Sequence, residues 1–263
     1  MSTLSYTLSD SATMLRRSLR HMQRYPSLTL LIAGMPVVFL LLFVYVFGGT
    51  LGAGLGHAAG GRAAYAGYVA PGIMLMTVAA GAQGTAIMVA SDMTEGIIAR
   101  FRTMAIARSS VLTGHVIGSL IQTMLSLVIV TAIAVLTGFR PAASPLAWLA
   151  AAGVLVLIAF ALTWLSVALG LAAKSVETAS NTPMFLTLLP FLGSGFVPPA
   201  SMPAGLRWFA EYQPFTPVTE TLRGLLTGGP VAGHAVAAVA WCAGIALVSY
   251  LWAMKLYHRE RVR

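Results

Sequence analysis

Charge is scarce in this chain, and acid is scarcer than base. Of 263 residues only 9% are charged, and seven Asp and Glu stand against sixteen Lys and Arg. A soluble domain carries about 25% charged residues. With 58% hydrophobic residues and a mean hydropathy of +0.84, this chain has too little polar surface to cover a water-soluble globule. Cysteine is nearly absent. The lone Cys242 excludes an intrachain disulfide framework and reads as a small packing residue. His21, His57, His115, His234 and His258 are scattered, and no two have the His-x-x-x-His spacing of a metal site. A Walker A motif is missing. The one Lys-Ser pair is Lys174–Ser175, and Ala173 precedes it. Any ATP used must therefore be bound by another chain. The Gly-rich stretch 48–61 fails G-x-G-x-x-G, because His57 stands where the last glycine would be, and it reads as a loop. Ser, His and Asp gather into no triad.

Long apolar runs are what the chain has instead. Six of them can cross a hydrocarbon core of about 30 Å, which takes about 20 helical residues. They are read as spans at 27–47, 66–90, 112–136, 146–172, 178–197 and 231–254. The first run is longer than the roughly 7–15 residues of a signal-peptide core, so a retained span is expected. No Asp, Glu, Lys or Arg lies at the centre of a span, which disfavours an ion-coupled carrier. No internal repeat is visible, so an inverted-repeat carrier is not supported.

The net charge of +9 does not mark a nucleic-acid binder, since the arginines are split among short segments that lack interleaved aromatics. Their distribution is that of membrane topology. With the N-terminus inside, one set holds Arg16, Arg17, Arg20, Arg24, Arg100, Arg102, Arg108, Lys174, Lys255, Arg259, Arg261 and Arg263. The other holds Arg62, Arg140, Arg207 and Arg223. Twelve against four places both termini in the cytoplasm of a multi-pass plasma-membrane protein.

Three segments outside the spans carry structure of their own. Residues 9–25 read as an interfacial helix. Ser9 or Asp10 caps it, Leu15, Leu19 and Met22 lie on one face, and Arg16, Arg20 and Arg24 lie on another. Residues 93–108 read as a cytoplasmic surface helix. Ile97, Ile98, Phe101, Met104 and Ala105 form its apolar stripe, with Glu95, Arg100, Arg102 and Thr103 off it. Ser109 or Ser110 is expected to cap the next span. Residues 198–230 read as an extracellular, re-entrant helical hairpin. Its helices are expected to start near Ser201 and Pro203 and near Thr216 and Pro217, with Pro214 between them. Pro183 and Pro190 should kink the fifth span. Polar residues inside the spans, among them Gln83, Gln122, Ser126, Thr163, Ser166, Asn181 and Thr187, suit interhelical hydrogen bonds. Gln83, Gln122 and Asn181 are also candidates to line a pathway.

The expectation is a single all-α permease domain over 1–263 with six transmembrane helices. Two stretches resemble the type-2 ABC transporter permeases, and most closely their daunorubicin/doxorubicin-resistance-like drug-exporter branch. One is SDMTEGIIARFR from Ser91 to Arg102, continuing to Leu112, Thr113 and Gly114. The other is GFVPPASMP from Gly195 to Pro203, continuing through QPFTP at Gln213–Pro217 to LRGL at Leu222–Leu225. Family members often have Asn-Pro where this chain has Gln213–Pro214. The resemblance implies an exporter of an amphipathic or apolar compound such as a drug, antibiotic or lipid. It implies a separate ABC ATPase subunit that binds ATP and magnesium, no cofactor in this chain, and a second permease copy or paralogue. It assigns Glu95, Gly96, Arg100 and Arg102 to the segment that contacts the ATPase. Pro203, Pro214 and Pro217 belong to its outer hairpin. Two rival readings are an ion-coupled secondary efflux carrier and a membrane scaffold without transport.

Overall fold

The computed structural model describes residues 24, 26–53, 61–95 and 108–259. Every regular element among them is a helix. The expected interfacial helix lies outside the described residues apart from Arg24, which is helical and exposed.

The first crossing is α1 (Pro26–Leu41), a π-helical turn (Leu42–Phe47) and α2 (Gly48–Ala53). The loop expected from residue 48 thus begins later, because the glycines of α2 are held as helix: Gly48 and Gly52 are buried against α3 (Arg62–Thr94). At 33 residues, α3 is about 50 Å long, which exceeds the hydrocarbon thickness. Then come α4 (Arg108–Leu136) and α5 (Pro145–Ala172). Ser144 starts α5 by accepting a 3.2 Å hydrogen bond from the Ala147 N–H, with Pro145 as the first helical residue. Arg140 stops α4 by donating to the Val135 carbonyl at 2.7 Å. Ser109 and Ser110, expected to cap this span, are both helical residues of α4.

The fifth expected span is not a continuous helix. It consists of α6 (Val176–Asn181), α7 (Met184–Leu188) and a run of turns to residue 196. Pro183 and Pro190 have no N–H to carry the ladder across those points, so two prolines break the helix where a kink was expected. Among the described residues, five helices remain that are long and apolar enough to cross a membrane. A 3₁₀ turn (Pro199–Ser201) leads to α8 (Ala204–Tyr212) and α9 (Phe215–Thr227), followed by α10 (Ala232–Arg259). The α9 helix begins at Phe215, after Pro214, earlier than Thr216 and Pro217 suggested. Pro217 stands in its first turn, where a missing N–H has no partner to lose. Gly228, at φ 81°, ends it in a left-handed cap.

The layers follow from burial. In α3 and α5, 72% and 67% of the most apolar window is buried, against 17% in α10 and 22% in the first crossing, so α3 and α5 are the centre and those two lie at the periphery. Small residues make this possible. A Cβ on Gly170 would sit 2.7 Å from the Ala86 carbonyl oxygen, so α5 meets α3 backbone to backbone at that level.

Candidate functional site

A cavity of about 620 Å³ lies between α1, α3 and α4. Leu31, Ile32, Met35 and Pro36 form one wall, and α3 supplies the longest wall, from Met76 to Asp92. Residues on α3 at spacings of three and four fall on one face, which is why Met76, Ala80, Gln83, Gly84, Ile87, Met88 and Ser91 all reach it. His115, Ser119 and Gln122 close it from α4 at the same helical spacing, and Thr187 of α7 completes it.

Two of the three candidate pathway residues meet here. Gln83 donates to the Ser180 carbonyl at 2.9 Å, tying α3 to α6. Gln122 donates to Thr29 Oγ1 at 3.4 Å, and Ser126 donates to the Thr29 carbonyl at 3.3 Å, tying α4 to α1. The two glutamines therefore both link helices and line the space. Asn181 is exposed at the end of α6 and is not part of the cavity wall. Thr85 and Ser119 share a 2.5 Å hydrogen bond across it.

Asp92 and His115 were not singled out as a pair from the sequence. Asp92 is only 8% exposed, on the last turn of α3. His115 Nε2 stands 3.1 Å from its Oδ2, within ion-pair reach. Among the described residues, that oxygen accepts no hydrogen bond of good geometry. The reading of spans without charge at their centres stands, since this carboxylate lies at a helix end.

The cavity is closed at one end. Four residues before Met76, a Cβ on Gly72 would come within 2.6 Å of the Gly195 carbonyl oxygen, so α3 and the turns after α7 touch through backbone. Those turns are seated on α1 and the π turn by aromatic rings. Phe191 and Phe196 stack at 4.2 Å between centroids, Phe43 lies 4.8 Å from Phe196, and Phe39 lies 5.5 Å from Phe191. Gln213, buried just after α8, donates to the Leu189 carbonyl at 3.0 Å. Thr216 accepts from the Ser194 N–H at 3.3 Å and donates to the Ala210 carbonyl at 2.5 Å, joining the plug to both hairpin helices. Arg223 completes the seal. It donates to the Tyr68 carbonyl at 3.1 Å, the Ser194 carbonyl at 2.6 Å and Glu220 at 2.5 Å.

The other end of the cavity is the end at which α3 finishes and α4 begins. Glu95 is exposed there, and its N–H donates to the Ser91 carbonyl at 2.9 Å. Gly96, Arg100 and Arg102 lie outside the described residues. Met93 and Thr94, expected in a separate surface helix, continue α3, and Arg108 opens α4. Pro203 and Pro214 immediately precede α8 and α9.

Comparison with known proteins fits this architecture. Residues 11–227 match the model of the ABC-2 type transporter family. The chain is 27% identical to a daunorubicin resistance ABC transporter permease protein (DrrB1) of Streptomyces coeruleorubidus, over 96% of this chain and 87% of that protein. It is 24% identical to a probable doxorubicin resistance ABC transporter permease protein (DrrC) of Mycobacterium tuberculosis, over 68% of this chain and 65% of that protein.

Proposed function

This chain belongs to the ABC-2 type transporter family, and from that premise we propose that it works as the permease of an ATP-driven exporter of an amphipathic or apolar compound. The drug-resistance permeases it is similar to support an ABC exporter permease. Energy comes from a separate ABC ATPase that binds ATP and magnesium, and two permeases, identical or paralogous, enclose the path. One observation carries the reading: the apolar cavity is sealed beyond Gly72 and lies toward the end where Glu95 begins the ATPase-contact segment. With both termini cytoplasmic, as the charge distribution supports, that end faces the cell interior.

The mechanism is mechanical. ATP closes the ATPase pair and pushes the segment holding Glu95, Gly96, Arg100 and Arg102. The α3 helix begins at Arg62, reaches the plug at Gly72, lines the cavity from Met76 to Asp92, and ends beside the pushed segment. A helix is stiff along its axis, so displacement at Thr94 reaches Gly72 and Tyr68, where the seal is made. Opening that seal while the inner end closes moves the cargo outward. No bond is made or broken in this chain.

The test is reconstitution. Vesicles holding the permease and a co-expressed ABC ATPase should move an apolar fluorescent cargo only with MgATP. Transport driven by an ion gradient without ATP would return the chain to the secondary carriers. Turnover of ATP that responds to no cargo would favour a scaffold.

A further inference from the structure

Asp92 and His115 stand where a push on α3 and α4 would arrive. Because α3 ends at Thr94 and α4 begins at Arg108, the segment between them is rooted in both helices. His115 Nε2 lies 3.1 Å from Asp92 Oδ2, and both side chains are nearly buried. This pair is the innermost of three close contacts between the two helices. Next comes the 2.5 Å hydrogen bond between Thr85 and Ser119. Last comes Gly81, where an added Cβ would overlap the Thr123 hydroxyl. Gly81, Thr85 and Asp92 share one face of α3, and Thr123, Ser119 and His115 share one face of α4. The antiparallel helices are thus matched residue against residue in one register.

Apolar burial does not supply that register. Val89, Leu112 and Val116 belong to one buried apolar cluster at this level of the two helices. Contact of this kind is non-directional, so it resists separation more than sliding. A buried ion pair adds little net stability over apolar groups of similar size, and its best-supported use is to fix registration. An acid and an imidazole paired at the inner end of α3 and α4 therefore point to register rather than to stability.

We propose that Asp92 and His115 are positioning residues for energy coupling. The pair pins the inner ends of α3 and α4 to one register, so displacement of the segment between them moves both helices as a single lever. The proposal rests on the ATP-driven export reading. In this role neither side chain needs to touch cargo or ATP. Without the pin the two helices slide past each other. ATP turnover then continues while less of the movement reaches the seal at Gly72 and Tyr68.

The measurement is the amount of an apolar fluorescent cargo moved per ATP hydrolysed, in vesicles holding the permease and its co-expressed ATPase. Thermal unfolding of the same permease runs beside it. Asp92→Leu with His115→Leu should unfold at or above the wild-type temperature and yet move about tenfold less cargo per ATP. The exchanged pair, Asp92→His with His115→Asp, should recover most of that loss. Asp92→Cys with His115→Cys should be poorly coupled as well. Joining its two thiols with a short bifunctional methanethiosulfonate should restore transport, because the lever then stays fastened through the cycle. Cys242 is 1% exposed and stays out of that reaction. Wild-type coupling in Asp92→Leu with His115→Leu overturns the proposal. So does an exchanged pair that recovers nothing, or joined thiols that leave coupling no higher. The cysteine pair decides the matter even where the other variants do not fold. A wild type that moves no cargo with MgATP overturns the export reading itself. A wild type that exports beside equally coupled variants overturns only the pin.

Discussion

The guanidinium carbon of Arg223 stands 3.9 Å from the centre of the Tyr68 ring, and the same arginine donates to the Tyr68 backbone carbonyl. A residue from the hairpin helix α9 is thus stacked on, and bonded to, the first half of α3. Because it also holds Ser194, one side chain joins hairpin, plug and central helix.

Removing that side chain should be felt in the whole outer end. Arg223→Ala leaves the Ser194 carbonyl without its donor, at a cost of about 1–3 kcal/mol where water does not replace it, and strips the Tyr68 carbonyl of its bond beyond the helical one. Arg223→Lys should rescue little, since an ammonium cannot stack and fork as a guanidinium does. Thermal unfolding in detergent should show both variants melting earlier than wild type, with proteolysis beginning in the hairpin. A wild-type melting temperature for Arg223→Ala would show that the cluster contributes nothing to stability.

The contact between Gly72 and Gly195 makes a second prediction. Gly72→Ala puts a methyl group 2.6 Å from the Gly195 carbonyl oxygen, and overpacking of this kind costs about 1–3 kcal/mol. Gly67→Ala, five residues earlier on α3, meets nothing within 4 Å and should be neutral or slightly stabilising. The pair, compared by thermal unfolding, isolates the close approach from helix propensity. Equal behaviour of the two would deny the contact.

Topology is open to labelling without engineering away the native thiol. Cys242 is 1% exposed and should not react. Cysteines placed at Gly60 and Gly205 should label in intact cells, and those at Ser2 and Arg263 only after permeabilisation. Labelling of Arg263→Cys in intact cells would reverse the assignment of the C-terminus.

Coupling is the sharpest consequence of the proposed function. Single removals of Arg100 or Arg102 should weaken ATPase contact modestly, because an exposed ion pair contributes about 0–1 kcal/mol. Arg100→Glu together with Arg102→Glu adds repulsion and unpaired charge, which costs several kcal/mol. The double variant should insert normally and lose the co-purifying ATPase. Normal yield of the complex, with cargo-stimulated hydrolysis intact, would remove this segment from the coupling role.

The sequence by itself determined the solvent. Long runs without charge have one low-energy environment, and a helix satisfies its own backbone there, so the all-helical membrane class followed from composition and spacing. Turn chemistry was equally local: Pro203 and Pro217 marked the starts of the hairpin helices to within a residue or two, because a proline's effect on its neighbours does not depend on the rest of the fold. The fifth span was read too simply. Its hydropathy is that of a span, but the two prolines there remove ladder hydrogen bonds, and Gln213, Thr216 and Arg223 from the hairpin bond carbonyls and an N–H of the turns that follow. Only the tertiary structure decided which polar residues share a space. Gln83 and Gln122 meet because α3 and α4 pack side by side against α1, whereas Asn181 carries the same kind of polar signal and lies outside the cavity wall. In the sequence Asp92 stood only within the SDMTEGIIARFR stretch, and His115 was one of five scattered histidines. Their meeting depends on the packing of α4 against α3, and a pairwise distance of this kind has no trace in the periodicity of either helix.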